Sequence, residues 1–197
     1  MKIVHVETII GCGEYANSSY WAATRRTIHE AVKKCDWPAG SGKFTIYPER
    51  KANGVVPIKK EFIQGLKAHG WVIEGPAKNK EGQSVGDFDA VIAGPNGPIV
   101  AEWETGNISS SHRTMTKLLM LNQQRVIAAG VLVIPSKALY LFLTDRIGNF
   151  TELTPYLGFW KTTSCKSGIV EIVVIEQDAE STDVPKIPKG TDGRAKG

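Results

Sequence analysis

Cysteine is scarce in this sequence, and its placement argues against two common kinds of site. The 197 residues contain three cysteines, Cys12, Cys35 and Cys165, with no Cys-x-x-Cys pair. An odd, widely spaced set predicts neither a disulfide framework nor a zinc site. The sequence therefore favours a protein of the reducing cytoplasm.

Long apolar runs are also missing. The longest covers 126–135, about half of the ~20 residues needed to cross a bilayer. The opening segment, MKIVHVETIIGCGEY, has a lone lysine and an apolar stretch interrupted by Glu7, unlike the continuous core of a signal peptide. We therefore expect neither export nor a membrane partner.

Nucleotide-binding patterns are absent as well. The glycine-rich turns contain neither a P-loop nor a dinucleotide fingerprint, so no nucleotide cofactor is expected. His112 follows three serines, but no Ser/His/Asp spacing supports a catalytic role for it. The 24 Lys and Arg against 20 Asp and Glu give a net charge of +4, which permits an anionic partner without requiring one.

The patterns that are present alternate between helix and strand, which predicts an α/β fold. At about 150 residues per domain, the length indicates a single domain. We place this domain at 1–180 and an extended C-terminal arm, rich in Pro and Gly, at 181–197. Helices are predicted over 18–35, 57–70, 109–124 and 136–144, and strands over 44–47, 71–74, 87–92, 99–104, 129–134 and 169–175.

Acidic residues gather on the predicted hairpin around the turn 94–97. With a four-residue turn, Asp89 faces Glu102 and Asp87 faces Glu104 across the two strands. Because like charges directly opposite each other destabilise a sheet, a bound cation is the natural remedy. Carboxylates without nearby Cys or His favour a hard ion such as Mg²⁺.

The charge distribution sharpens this interpretation but leaves alternatives open. Residues 74–104 carry a net charge of −4, so the remainder carries +8. An acidic pocket in a basic body is typical of a metal-dependent enzyme that acts on a polyanion. From spacing alone, the acids could equally be a solvated strand face, and two of them could serve as the acid and base of a glycosidase.

A resemblance extends beyond the acids. Asp89 followed by Glu102-x-Glu104 resembles the core of the PD-(D/E)xK nucleases, with Glu104 where Lys is usual. The blocks FTIYPERKANGVVPIK, AEWETGNISSSHRTMTKLL, LTDRIGNFTELTPY and VPKIPKGTDG resemble the BamHI family of type II restriction endonucleases, which also has Glu there. The blocks fall within 37–193, whereas the N-terminal segment diverges. The resemblance implies a central mixed β-sheet flanked by helices and Mg²⁺-dependent hydrolysis of double-stranded DNA.

The same resemblance implies roles for individual residues. Glu74, Asp89, Glu102 and Glu104 would be both catalytic residues and metal ligands, for two Mg²⁺ ions per active site. Glu104 would be the general base or would help to bind the first metal. The DNA-binding residues would be Lys59, Asn107, Ser109, Arg113, Asp145 and Arg146, with Asp192, Gly193 and Arg194 on a minor-groove arm. Arg194 departs from the family's residue at its position.

Without the resemblance, several of these residues would be interpreted as purely structural. Asp145 and Arg146 would be an ion pair at a helix end, and Asn107 a turn residue. The resemblance further implies the target GGATCC, cut after the first G to leave 5′-phosphate ends. A palindrome requires a homodimer, and the helix from about 110 to 124, with Met115, Leu118 and Leu119, would be the dimerisation helix unless those side chains pack in the core. A DNA-binding protein that has lost catalysis is the rival hypothesis.

Overall fold

A six-stranded sheet and a two-stranded sheet organise the computed structural model, which describes residues 1–104, 106–144 and 147–189. The strands are β1 Lys2–Cys12, β2 Thr45–Ile46, β3 Val72–Lys78, β4 Ser84–Ile92, β5 Ile99–Trp103, β6 Ala129–Pro135, β7 Gly168–Glu176 and β8 Ala179–Glu180. The large sheet has the order β1-β7-β6-β5-β4-β3, and β2 pairs with β8. Strands β5, β6 and β7 are parallel, whereas β1 and the β3-β4-β5 meander are antiparallel, so the predicted mixed sheet is confirmed.

Helices alternate with the strands along the chain, and four of them begin at a capping side chain. They are α1 Ser19–Lys34, α2 Val56–Ala68, α3 Ile108–Gln123, α4 Lys137–Tyr140, α5 Phe150–Leu153 and α6 Leu157–Trp160. The Ser18 side chain accepts a hydrogen bond from the Trp21 backbone at the start of α1, and Asn107 does the same for Ser110 at the start of α3. None of the helices in the described ranges is long and apolar enough to span a membrane.

Two apolar clusters cover opposite faces of the sheet. Along β6, Val131 and Val133 pack with α1 and α2, whereas the alternate residue Leu132 packs with α3. Strands β6 and β7 are buried along almost their entire length, as expected for central parallel strands covered on both faces. The fully buried strand β5 lies between β6 and β4 in this sheet, which positions the acidic residues at its carboxyl end.

One predicted helix boundary needs correction, and several elements were not predicted. The helix expected over 136–144 ends at Tyr140, because the following residues form turns that bring Leu143 into a bridge with Asn53. Strand β1 was not predicted, since its two register shifts against β7 break the usual alternation. The helices α5 and α6, of four residues each, were also missed.

The expectation that the cysteines are unpaired is wrong. Cys12 and Cys165 form a disulfide across 153 residues of sequence, and Cys35 is free and buried. The cause is strand pairing: Cys12 lies opposite Gly168 on β7, which brings the segment just before β7 next to the end of β1. Spacing along the chain could not show this contact.

The described part of the predicted arm, 181–189, is tied to the domain by buried Asn53. Its amide group donates to the Tyr47 and Phe142 carbonyl oxygens, and its Oδ1 accepts from the Ile187 backbone at 3.1 Å. Ile187 is itself buried, and its carbonyl accepts from the Gly54 backbone at 2.9 Å. This segment therefore packs against the domain although it has almost no regular structure.

Candidate active site

A cavity of about 560 Å³ opens between the β4-β5 hairpin and the start of α3. The hairpin register predicted from its turn is confirmed, with Ala90 opposite Ala101 and Ile92 opposite Ile99. Side chains from two helices, two strands and the segment after β5 line the cavity, among them Lys59, Asp89, Glu102, Glu104, Arg113 and Lys117. The structure therefore brings together three of the four predicted carboxylates and two of the predicted DNA-binding residues.

At the point where the β4-β5 ladder ends, the Asp89 and Glu102 carboxylates each accept a hydrogen bond from the backbone of the opposite strand. The Asp89 backbone donates to Glu102 Oε2 at 3.2 Å, and the Trp103 backbone donates to Asp89 Oδ2 at 2.8 Å. Each carboxylate thus replaces a ladder hydrogen bond that the diverging strands no longer make. This arrangement fixes the two side chains without requiring a ligand.

The predicted pair of Asp87 and Glu104 is wrong. The ladder between β4 and β5 stops at Ala90 and Ala101, and Asp87 pairs with Pro76 on β3. The Glu104 backbone instead donates to the Val133 carbonyl of β6 at 3.0 Å. Beyond Asp89, β4 stays paired with β3, whereas the chain after β5 bonds to β6. The register of the hairpin therefore cannot be extended to its open end.

Glu104 is buried and held by the backbone that follows it. The Gly106 N–H donates to Glu104 Oε1 at 2.6 Å. Burial raises the pKa of the Glu104 carboxyl above its usual value, although the Gly106 hydrogen bond and the Lys59 ammonium oppose the shift. A carboxylate with a raised pKa binds a proton more readily than an exposed one, as a general base must.

Two lysines from different helices neutralise the other carboxylates. Lys59 on α2 donates to Asp89 Oδ1 at 2.7 Å, and Lys117 on α3 forms an ion pair with Glu102 Oε1. Burial raises the pKa of the Glu102 carboxyl, whereas the Lys117 charge lowers it. Lys117 was not predicted, yet it lies one helical turn after Arg113, and that spacing of four could have identified it.

Glu74 does not line the cavity that the other three acids share. It is exposed, has a left-handed backbone with φ 57°, and is not among the residues that line the cavity. Its neighbours Ile73 and Gly75 pair with Ala90 and Phe88, so Glu74 lies beside Asp89 across the β3-β4 ladder. Within the described ranges, no three His, Cys, Asp or Glu side chains form a ready metal-binding group.

The predicted DNA-binding residues fall into three sets. Lys59 and Arg113 line the cavity, whereas Asn107 and Ser109 are exposed at the start of α3. Asn107 also caps the helix, so the turn-residue interpretation holds at least for its structural role. Five predicted residues lie outside the described residues: Asp145, Arg146, Asp192, Gly193 and Arg194.

The apolar side of the predicted dimerisation helix faces inward. Met115, Leu118 and Leu119 on α3 are buried in the core cluster that this helix forms with β6 and β7. Their assignment to a dimer interface is therefore wrong, because the same chain already covers them. The outward side of α3 carries His112, whose ring meets Tyr156 edge-on at 4.3 Å.

Solved structures identify the class of fold. A crystal structure of restriction endonuclease BglII complexed with a DNA 16-mer superposes with a TM-score of 0.64 at 9% identity, covering 90% of this chain and 79% of that one. Free BglII gives a TM-score of 0.52 at 10% identity, with coverage of 90% and 81%. The central sheet and its flanking helices thus have a restriction-endonuclease fold.

Sequence comparison identifies the family. A family model described as restriction endonuclease BamHI matches residues 1–194, which includes the N-terminal segment that we expected to diverge. The type II restriction enzyme OkrAI of Oceanobacter kriegii is 43% identical over 195 residues, 99% of each chain. The type II restriction enzyme BamHI of Bacillus amyloliquefaciens is 38% identical over 168 residues, covering 81% of this chain and 76% of that protein. The chain belongs to the BamHI family and is a site-specific endonuclease.

Proposed function

We propose that this chain is a Mg²⁺-dependent type II restriction endonuclease that cuts double-stranded DNA at GGATCC after the first G, leaving 5′-phosphate ends. The observation that carries the proposal is the meeting of Asp89, Glu102 and Glu104 in one cavity with Lys59 and Arg113 beside them. Acids that can bind a cation thus lie next to cations that can bind phosphate. The target follows from the resemblance of the recognition blocks to those of the BamHI family.

The donor set fits a hard divalent cation. Asp89, Glu102 and Glu104 offer only carboxylate oxygens, and Glu102 Oε1 is a buried oxygen with no hydrogen bond in the described chain besides its ion pair. We infer that these residues, with Glu74 at the edge, would hold two Mg²⁺ ions. When bound, Mg²⁺ would lower the pKa of an attacking water and offset charge on the departing 3′ oxygen.

Glu104 is the proposed general base. Its buried carboxylate is anchored by one oxygen to the Gly106 backbone, and among the described residues the other oxygen has no hydrogen-bond donor, so it could accept a proton from water. Deprotonation of the attacking water would leave Glu104 neutral and hydroxide aimed at the phosphorus. The in-line displacement would then break the bond to the 3′ oxygen.

Positive side chains and the start of α3 are proposed to bind the DNA. Lys59 and Arg113 border the cavity, where they would contact the scissile phosphate and the major groove. Asn107 and Ser109 would approach base edges, and Arg146 beside Asp145 would read a G·C pair, because Arg donates to guanine and Asp accepts from cytosine. Asp192, Gly193 and Arg194 would reach the minor groove.

A homodimer is proposed because one chain has a single carboxylate cavity in its described part, whereas two strands must be cut. Since the apolar side of α3 is buried, the proposed contact is the aromatic patch of His112, Tyr156 and Phe159. Tyr156 is 47% exposed and Phe159 is 76% exposed, and exposed apolar patches are typical of interaction surfaces. Phe159→Asp should shift the sedimentation coefficient from dimer to monomer, and an unchanged value would exclude this contact.

A digest tests the function directly. A linear duplex with one GGATCC site should give two discrete products in Mg²⁺ and none in EDTA, and the ends should map to the bond after the first G. A duplex with a single base changed in the site is the matched control. Discrete products from another sequence would contradict the target, whereas smears would contradict site-specific cleavage. Such DNA is met in the cytoplasm, which is the location that we propose.

The rival hypothesis, a DNA-binding protein without catalysis, makes a different prediction. Glu104→Gln should keep DNA affinity within about tenfold and lower cleavage by about 100-fold or more, because it removes the proton acceptor and one carboxylate of the proposed metal site. Gel-shift binding in Ca²⁺ and single-turnover cleavage in Mg²⁺ separate the two effects. Cleavage by Glu104→Gln at the native rate would refute the assigned base, and a native chain that binds the site without cutting would support the rival.

A further inference from the structure

Lys117 is a buried cation at the centre of the acidic cavity that neither the resemblance nor the motifs identified. Its ammonium group forms an ion pair with Glu102 Oε1, and the two side chains are only 12% and 10% exposed. Ion pairs this sheltered from water interact more strongly than surface pairs and are poorly screened by salt. In the absence of any ligand, the Lys117 ammonium therefore balances the negative charge of the Glu102 carboxylate.

The surroundings of Lys117 separate its role from that of a phosphate-binding lysine. An ammonium group has three N–H donors. The Lys117 group contacts Glu102, donates to the Asp87 carbonyl at 2.8 Å, and lies 4.8 Å from the centre of the Phe88 ring. Each side of the group is thus already occupied by protein.

Lys59 provides the contrast within the same cavity. In the described chain its ammonium has one hydrogen-bond partner, Asp89 Oδ1. Two donors therefore remain for a phosphate oxygen. Lys59 can therefore donate hydrogen bonds to a DNA phosphate, whereas the contacts of the Lys117 ammonium are all with the protein.

We propose that Lys117 is a positioning residue and an internal counter-ion: it orients Glu102 and neutralises it until a divalent cation takes over Glu102 Oε1. This inference rests on the proposed Mg²⁺ dependence. A cation entering the cavity must displace Lys117 from Glu102, while the bond to the Asp87 carbonyl keeps the ammonium nearby. Lys117 thereby weakens cation binding and prevents the acids from repelling one another.

The position of Lys117 in α3 links this exchange to DNA binding. Asn107, Ser109 and Arg113 lie on the first turns of the same helix, and Lys117 follows Arg113 by one turn. A shift of α3 on DNA would therefore move the Lys117 ammonium relative to Glu102. Cation binding is accordingly expected to be weak without DNA and tighter with it.

The test measures cation affinity directly rather than through cleavage. Mn²⁺ binding to the full chain without DNA is followed by the loss of its free-ion EPR signal at pH 8.5. Lys117→Met should bind Mn²⁺ about tenfold more tightly than the native chain, because one opposing charge has been removed from the cavity. Its cleavage in Mg²⁺ should fall, because Glu102 is no longer oriented, and Lys117→Arg should restore native Mn²⁺ affinity and part of the cleavage.

Matched variants separate this proposal from a merely structural role. Lys161→Met removes a lysine paired with Glu7 outside the cavity and should leave both Mn²⁺ affinity and cleavage unchanged. If Lys117→Met does not fold, as judged by circular dichroism, Lys117→Gln takes its place, since its amide can still donate to the Asp87 carbonyl. Unchanged or weaker Mn²⁺ binding by the folded variant overturns the proposal. A native chain that cuts DNA without any divalent cation overturns the Mg²⁺ dependence as well.

Discussion

Gly106 connects the proposed general base to the start of α3, and Gly106→Ala tests that connection. The Gly106 N–H holds Glu104 Oε1 at 2.6 Å. A Cβ at this position would lie 2.8 Å from the same oxygen and 2.9 Å from the Ser110 Cβ. The added methyl group therefore cannot be accommodated unless a neighbour moves.

The structure indicates which neighbour yields. The Ser110 Cβ belongs to α3, so the Gly106 segment must shift away from it, whereas Glu104 Oε1 is the far end of a flexible side chain and can retreat. Restoring an ordinary contact of about 3.4 Å requires the carboxylate to retreat by about 0.6 Å. Productive geometry tolerates displacements of about 0.5 Å, and a misplacement of about 1 Å costs on the order of 100-fold in rate. We expect single-turnover cleavage by Gly106→Ala to fall by about 30- to 100-fold.

DNA affinity and stability should change much less. No phosphate contact is assigned to Gly106, so gel-shift affinity in Ca²⁺ should stay within about threefold, and overpacking should lower the free energy of unfolding by about 1–3 kcal/mol. Gly158→Ala is the matched control, because its Cβ would meet nothing within 4 Å. That variant should cut at the native rate. A folded Gly106→Ala that also cuts at the native rate would refute the positioning of Glu104 by its backbone.

Three further predictions concern stability. Burial, with Arg25 and Lys33 nearby, lowers the pKa of His29 to about 4, so native stability should fall as the pH drops from 6.5 toward 4 because the unfolded chain binds the proton first. In urea titrations, His29→Leu should remove about 2 kcal/mol of that loss after allowance for partial exposure, and identical pH profiles would contradict this cause. Asn53→Ala should cost about 2–3 kcal/mol and expose 181–189 to proteolysis, since the Ile187 N–H loses its acceptor and the Tyr47 and Phe142 carbonyls each lose one of two donors. EDTA should abolish cleavage yet leave the melting temperature unchanged within about 2 °C, and a larger fall would mean that a bound metal stabilises the fold.

Local signals predicted much of the fold. Helix α1 begins where Ser18 can cap it, and the four-residue turn at 94–97 fixes the pairing of β4 with β5. Both features depend on residues close together in sequence, so sequence alone is sufficient. The same register placed Asp89 beside Glu102, which is the centre of the candidate site.

The features that the sequence did not predict depend on contacts between distant segments. The Glu104 backbone bonds to β6 rather than to β4, and Cys12 meets Cys165 only because β1 pairs with β7. Lys59 and Lys117 come from separate helices, and only the packing of α2 and α3 on the sheet brings them to the acids. Such neighbours leave no periodic signal in the chain, because each depends on how whole elements pack.

The crowded carboxylates of the site are neutralised by lysines of the protein itself, which the pattern of acids along the sequence does not reveal. Carboxylates facing each other across a ladder were taken to require a bound cation, but Lys59 and Lys117 already supply one positive charge each to Asp89 and Glu102. The acids therefore do not need a metal in order to fold, which distinguishes this site from structural metal sites whose ligands stay apart until the ion arrives. The proposed catalytic cation would instead replace charges that the protein itself provides. Because one of those charges is carried by α3, whose first turn is the proposed DNA-reading segment, control of the cation and recognition of the sequence fall on the same helix.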